Sequence, residues 1–181
     1  MTMPMHSYEV PGRSRDQIIN AAVALRQALR INHPKFPILQ VVEVLLAEHD
    51  EDFSFEVKDH SELGEQHGLT RPELKEMWIR EDVYEGARRG NGRDRFTIAH
   101  ELGHYLLHNE PGLARTLKPR GSFPFYKCAE WQANSFAGAL LIPTDVAQSL
   151  RDPYAIAETC GVSVDAANVQ LKVLVQKGLL K

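Results

Sequence analysis

Two histidines and a glutamate have the types and the spacing needed for metal-dependent hydrolysis. His100 and His104 lie four positions apart, so on an α-helix their imidazoles project from one face towards a common point. Zinc binds neutral imidazole well and keeps one coordination position for water. Glu101 lies about a quarter of a turn round the helix. From there its carboxylate can take the proton of a zinc-bound water as that water attacks a peptide carbonyl.

The residues around this motif favour a buried helix over a chance pairing of surface histidines. Apolar side chains recur through the segment at helical spacing. They are Phe96, Ile98, Ala99, Leu102, Leu106 and Leu107. Gly103 is a poor helix former, and its presence predicts that another element packs closely against this position.

A catalytic zinc site needs a third protein ligand, and the chain offers candidates on a second apolar helix. The glycine and third histidine of a metzincin do not follow His104. His108 lies two turns from His100, so we predict that it supports the structure or orients a ligand from outside. Glu130 and Asn134 are again four residues apart. One of them can bind the metal while the other orients a ligand histidine.

The two segments together resemble the ImmA/IrrE family of metallo-endopeptidases. The first reads RFTIAHELGHYLLH over residues 95–108, and the second reads ExxANxFAxxLLIP over residues 130–143. The resemblance is strong from Asp82 to Pro143 and weaker in the flanking helices.

This resemblance implies a gluzincin-like site that binds Zn²⁺ and hydrolyses peptide bonds. The implied metal ligands are His100, His104 and Glu130. The implied catalytic base is Glu101. The implied substrate is a protein, namely a repressor or another transcriptional regulator of a stress response. Candidates for supporting a ligand or contacting substrate are Asn134, His108 and Tyr105.

Composition and charge exclude several other classes of protein. The chain has 181 residues and a formal net charge of −3, so a nucleic-acid partner is not implied. No signal peptide and no apolar run long enough to cross a bilayer are present. Cys128 and Cys160 are the two cysteines, which predicts no disulfide framework and a cytoplasmic protein.

The overall pattern predicts a single zincin-like α+β domain over residues 15–181, with helices around a small sheet and the metal site between two helices. Residues 1–14 contain proline and glycine without periodicity, and we predict a flexible tail there. Ser14 is a candidate N-cap for a helix that continues to about Ile31. Alternation of apolar and polar residues predicts a strand over Phe53–Val57.

The C-terminal residues 144–181 are predicted to be helical, and residues 157–163 resemble the turn of a helix–turn–helix. DNA binding would require exposed basic residues on the last helix. That helix offers Lys172 and Lys177, with Asp165 in its first turn. We therefore predict that it packs against the domain and does not bind nucleic acid directly.

A second predicted strand, Glu76–Arg80, is the natural candidate for the sheet edge that holds an extended substrate. Basic residues on both sides of the motif suggest an acidic substrate segment, although they fit solvated loop charges equally well. They are Arg88, Arg89, Arg93, Arg95, Arg115, Lys118 and Arg120. The loop over residues 111–125 is either a lid or a mobile connection.

Three functional hypotheses follow from these residues. The first is a zinc endopeptidase. The second is a binding module with a protease fold that does not cut its partner, such as half of a toxin–antitoxin pair. The third is a DNA-binding regulator that works through its C-terminal helices. The complete motif favours the enzyme, because a pure binder has no need of Glu101.

Overall fold

The computed structural model describes residues 6–109, 116–119 and 121–180. The strands are β1 (His6–Glu9), β2 (Ser54–Lys58), β3 (Gly68–Arg71), β4 (Glu76–Arg80) and β5 (Thr116–Pro119). The helices are α1 (Arg15–Ala28), α2 (Ile38–Gln40), α3 (Leu46–His49), α4 (His60–Leu63), α5 (Glu81–Arg88), α6 (Gly92–Leu107), α7 (Ala129–Leu141), α8 (Thr144–Leu150), α9 (Pro153–Cys160) and α10 (Val164–Gln176). The predicted α+β fold with a single domain is confirmed. Among the described helices, none combines the length and the apolar composition needed to span a bilayer.

Helix α1 begins where the sequence predicted. The Ser14 side chain accepts a hydrogen bond from the backbone N–H of Gln17, and the Gln17 side chain accepts one from Ser14. This capping box satisfies two backbone donors that the first helical turn leaves free. The helix ends at Ala28, earlier than the predicted Ile31, and Arg30 takes a left-handed conformation with φ 56°.

The three-stranded sheet has the order β2-β4-β3, with β2 parallel and β3 antiparallel to β4. Both predicted strands are confirmed, since Ser54–Lys58 overlaps the first and Glu76–Arg80 matches the second. The edge role predicted for Glu76–Arg80 is wrong, because this strand is central. Strand β3 is an edge of this sheet. It was not predicted, because the four residues that precede Pro72 are too few for a readable alternation.

The N-terminal residues do not form the predicted flexible tail where the structure describes them. Strand β1 pairs with β5 in antiparallel register, with Tyr8 opposite Leu117. Val10 is buried, and its N–H donates to the carbonyl of Lys127. The pairing joins segments that are more than a hundred residues apart, so no local pattern announces it. Residues 1–5 of the predicted tail lie outside the described range.

Helices α6 and α7 pack closely side by side at the centre of the domain. A methyl group added at Gly103 would lie 3.1 Å from the Cα and from the carbonyl oxygen of Ala133. The close packing predicted at Gly103 is therefore confirmed. Around this contact the two helices bury large apolar side chains, and α1 covers the other side of α7. These side chains include Ile98, Leu102, Phe136 and Leu140.

The C-terminal helices meet in a helix–turn–helix arrangement whose turn packs on the start of α6. Gly161 takes a left-handed conformation between α9 and α10, with φ 65°. A Cβ at Gly92 would lie 2.3 Å from the carbonyl carbon of Val162, so only glycine fits there. The outward face of α10 exposes Asp165, Val169 and Lys172. A packing role for these helices stays our prediction.

Candidate metal centre

Helix α6 positions the motif because both of its ends are held. Asn91 caps the first turn, and its side-chain oxygen accepts from the backbone N–H groups of Arg93 and Asp94. At the other end, the guanidinium of Arg13 donates to the carbonyl of Leu107 over 3.1 Å. These contacts satisfy backbone groups that a helix terminus leaves unpaired.

The side chains of His100, His104 and Glu130 converge between α6 and α7. The Nε2 atoms of the two histidines lie 3.0 Å apart. One carboxylate oxygen of Glu130 lies 3.3 Å from Nε2 of His100, and the other lies 3.2 Å from Nε2 of His104. Three ligand atoms of the kinds that zinc prefers therefore surround one point.

The spacing of these atoms fits a tetrahedral metal ion. Bonds of about 2.0–2.2 Å place neighbouring ligand atoms of a tetrahedral zinc shell about 3.3 Å apart, close to the observed separations. Within the described part of the chain, His100, His104 and Glu130 form the one group of three such side chains that could hold a metal.

The charges at this point favour an ionised carboxylate beside two imidazoles. Burial by itself raises the pKa of Glu130, but hydrogen bonds from His100 and His104 outweigh it and hold that pKa far below its ordinary value. Burial lowers the pKa of His100, yet Glu130 and the nearby charge of Glu101 reverse the effect, and the net pKa is raised. This concentration of negative charge beside two imidazoles suits a divalent cation.

Each histidine uses its other ring nitrogen to contact a side chain outside the converging group. Nδ1 of His100 lies 3.0 Å from the amide oxygen of Asn134. Nδ1 of His104 lies 3.2 Å from Nδ1 of His108. Such contacts fix the orientation of a ligand ring. The structure thus brings Asn134 and His108 to the two histidines.

Glu101 lies next to His100 in sequence, on a different face of α6, and is buried against β3. The hydroxyl of Thr70 donates to its carboxylate over 2.7 Å. A Cβ at Gly68 would come within 2.8 Å of the Glu101 side chain. The edge strand therefore holds this carboxylate by a hydrogen bond and by close packing.

Tyr105 does not join the converging group. Its ring is buried and lies 4.8 Å from that of Phe53, and its hydroxyl donates to Asp50 over 2.7 Å. Burial and this hydrogen bond raise the pKa of Tyr105 above its ordinary value. One residue of helix turns a side chain by about 100°, which takes Tyr105 from the ligand face into the core.

The basic residues expected around the cleft are largely engaged elsewhere. Arg95 is buried and donates to the carbonyls of Gly161 and Phe36. Arg88 and Arg89 pair with Glu85. The preference for an acidic substrate therefore loses part of its support.

The remaining positively charged candidates give that preference little more. Arg93 is exposed, and Lys118 is paired with Glu9 across β1 and β5. Arg115 and Arg120, together with residues 111–114 of the expected lid, lie outside the described residues.

Two residues that the sequence did not indicate contact the neighbours of this group, Glu101 and His108. Thr70 belongs to a strand that was not predicted. Gln132 lies between Glu130 and Asn134 in sequence, yet its side chain points to His108, with the amide oxygen 3.2 Å from Nε2 of that ring. For Gln132 the sequence contained one indirect signal. The i,i+4 spacing of His104 and His108 placed His108, which Gln132 contacts, next to His104.

Comparison with known protein families assigns the chain. Residues 53–172 match the peptidase family described as the IrrE N-terminal-like domain. The chain belongs to this family. The match covers about two thirds of the sequence and includes both α6 and α7, so the predicted ImmA/IrrE resemblance is confirmed.

Among solved structures, a Mycobacterium tuberculosis transcriptional regulator is similar to the IrrE-like chain, with a TM-score of 0.53. The sequence identity is 18%, and the match covers 83% of this chain and 45% of the other. This similarity supports the fold. The chain therefore spans less than half of that protein's length. No curated protein matches the chain.

Proposed function

We propose that this protein is a zinc-dependent endopeptidase that cuts a regulatory protein. The observation that carries the proposal is the convergence of His100, His104 and Glu130 within 3.3 Å of one another, in a chain that belongs to a peptidase family. In this proposal these three side chains bind Zn²⁺. Glu101 is the general base.

Bound zinc would lower the pKa of a water molecule and polarise the scissile carbonyl. The carboxylate of Glu101 accepts the proton of the attacking water and then transfers it to the leaving amine nitrogen. Thr70 donates to one carboxylate oxygen, which leaves the other oxygen available for that proton. Asn134 holds the ring of His100, so the ring does not have to reorient when metal binds.

The edge of β3 is the best place for an extended substrate. This strand lies against α6, and Gly68 and Thr70 both contact Glu101. A peptide that adds a strand here would gain main-chain hydrogen bonds and run past the proposed base. Glycine at position 68 allows the strand to approach Glu101 closely. This edge replaces Glu76–Arg80 in the substrate proposal.

The partner we propose is a protein, specifically a transcriptional regulator. The family assignment supports a peptide substrate, and the description of the similar solved structure as a transcriptional regulator supports a place in gene control. We expect no direct, sequence-selective DNA binding, because the outward face of α10 carries Lys172 together with Asp165. We expect the protein to act in the cytoplasm.

The test uses the variant Glu101→Gln, which is nearly isosteric but cannot accept the proton. New protein N-termini would be compared by mass spectrometry between cells that express the wild type and cells that express the variant. An exposed glutamate on α9, changed as Glu158→Gln, is the matched control. We expect a cleavage product with the wild type and the control, and its loss with Glu101→Gln, at a rate reduced by about 10²–10⁴-fold.

Purified wild-type protein loaded with zinc should then cut the same bond. A chelator should prevent this cleavage. Equal cleavage by the wild type and Glu101→Gln would contradict the proposed mechanism. Capture of one partner by both proteins without any cleavage would instead support the binding-module hypothesis.

A further inference from the structure

The amide of Gln132 has an orientation that its surroundings determine. This side chain on α7 is fully buried. Its Nε2 donates to the carbonyl of Pro11 over 2.9 Å and to the carbonyl of Tyr126 over 2.8 Å. Carbonyl oxygens only accept hydrogen bonds, so both amide hydrogens are used. The amide oxygen must therefore face the remaining neighbour, His108.

The fixed amide determines which nitrogen of His108 carries the proton. The Gln132 oxygen only accepts, so Nε2 of His108 must be the donor across their 3.2 Å separation. A neutral imidazole has one donor nitrogen and one acceptor nitrogen. The Nδ1 atom of His108 is consequently an acceptor, and it lies 3.2 Å from Nδ1 of His104.

The proton position of His108 in turn determines how His104 donates. His104 must donate from Nδ1 to the acceptor nitrogen of His108. Nε2, which lies 3.2 Å from Glu130, is then the nitrogen whose lone pair the ring can give to a metal ion. His100 is held in a single step, because its Nδ1 faces the amide oxygen of Asn134 and leaves Nε2 as the nitrogen for the metal.

The relay ends in backbone groups of two chain segments that are themselves joined. The N–H of Val10 donates to the carbonyl of Lys127, and the N–H of Arg13 donates to the carbonyl of Tyr126. Glu9 forms a bridge with Cys128. The two acceptors of Gln132 therefore keep a constant separation, which a pair of unconnected loops would not provide.

We propose that Gln132 and His108 are positioning residues that set the ring tautomer of His104, with the carbonyls of Pro11 and Tyr126 as the fixed end of the relay. The proposal rests on the proposed function, because it assigns the resulting Nε2 lone pair to zinc. Outer hydrogen bonds of this kind typically change metal affinity by about 10- to 100-fold. The N-terminal segment is thereby connected to the metal centre through three hydrogen bonds in series.

The test is a measurement of the histidine tautomers in the full chain, both metal-free and loaded with zinc. Long-range ¹H–¹⁵N spectra near pH 8, where ordinary histidines are neutral, distinguish a protonated ring nitrogen from an unprotonated one. The variant Gln132→Met keeps the length of the side chain and removes its polar atoms. Gln170→Met is the matched control, since Gln170 is also buried and also packs on α7, at Gly138.

We expect the metal-free wild type and Gln170→Met to carry the proton of His108 on Nε2, and their zinc-loaded forms to carry the proton of His104 on Nδ1. In Gln132→Met we expect a mixture of His108 tautomers and a zinc affinity about 10- to 100-fold lower, measured by competition with a chelator. A wild-type His108 protonated on Nδ1 would overturn the proposal. Unchanged tautomers and affinity in Gln132→Met would overturn it as well.

The two proposals fail in different ways. If the wild type binds no zinc, the proposed function is wrong, while the tautomer spectra still decide the relay. If Gln132→Met does not fold, the wild-type spectrum alone gives the answer, because it reports the proton position directly.

Discussion

The two histidines of the candidate metal centre are supported by regions of different construction. Across the seam between α6 and α7, Gly103 lies against Ala133, and apolar side chains fix the distance between the helices. Behind His104, by contrast, the support ends in backbone carbonyls of the N-terminal segment and of the residues before α7. The seam determines where the donor atoms lie. In our proposal, the backbone region determines which atom of His104 is the donor.

This difference shows that the position of a metal-binding side chain and the location of its proton can be determined by separate parts of a fold. Packing of small and apolar side chains is sensitive to volume. Backbone carbonyls are present whatever the side chain, so a relay that ends on them tolerates substitution at its last residue. Variants at the seam between α6 and α7 and variants in the backbone-supported region should therefore differ in the kind of effect they have as well as in its size.

The largest effect is expected from Glu130, which lies at the seam between α6 and α7. Glu130→Ala should lose stoichiometric zinc, because two imidazoles remain without a carboxylate. His108→Ala should keep zinc at an affinity about 10- to 100-fold lower. Metal analysis after dialysis and chelator competition measure both, with Glu158→Ala as an exposed control. Loss of metal in His108→Ala with retention in Glu130→Ala would show that the third ligand is assigned wrongly.

A second effect concerns Glu101, which β3 holds from outside the seam. Thr70→Val keeps the shape of the residue and removes the hydrogen bond to the carboxylate. Hydrogen bonds to charged groups contribute about 1.5–3 kcal/mol, so kcat should fall about 10- to 100-fold. Zinc content should not change. Thr70→Ser restores a hydroxyl and should recover most of the rate; failure of this rescue would assign Thr70 to packing alone.

A smaller effect is expected from the seam contact. In Gly103→Ala the new methyl group meets the backbone of Ala133 at 3.1 Å, and overpacking of this kind costs about 1–3 kcal/mol. The higher helix propensity of alanine offsets about 1 kcal/mol of that cost. Gly138→Ala is the matched control, because its neighbour is the flexible end of Gln170.

Thermal unfolding of both variants measures this contact. We expect Gly103→Ala to have the lower Tm, by roughly 2–4 °C per kcal/mol of difference. Equal Tm values would mean that the seam adjusts without cost.

The features predicted from sequence are those whose signal is local. His100, His104 and Glu130 follow helical spacing, and Glu76–Arg80 follows strand alternation, so a short stretch of chain contains the information. Their assembly into one group is what the resemblance implied and what the geometry displays.

The features missed are those that depend on partners far along the chain. Strands β1 and β5 form only by pairing with each other. Gln132 is recognised only by its contacts with Pro11, 121 residues away, and with His108, 24 residues away. Tyr105 shows the opposite case. It is next to a ligand in sequence, but the helical rotation of one residue directs it to Asp50.

The smallest effect should come from Pro11, although this residue supplies the end of the relay. Gln132 contacts its carbonyl, which every residue type possesses, so Pro11→Ala should leave zinc affinity within about 2-fold of the wild type, well below the 10- to 100-fold loss expected where such a hydrogen bond is removed. Stability should fall by about 0.4–1 kcal/mol, because proline restricts the unfolded chain.

Deletion of residues 1–11 removes the carbonyl together with β1 and should lower zinc affinity about 10-fold or more. Chelator competition on both variants, with urea unfolding alongside, separates the two contributions. Weakening by Pro11→Ala equal to that of Gln132→Met would mean that the proline ring, and not its carbonyl, supports the metal centre. The support behind His104 would then depend on side-chain packing, as the seam between α6 and α7 does.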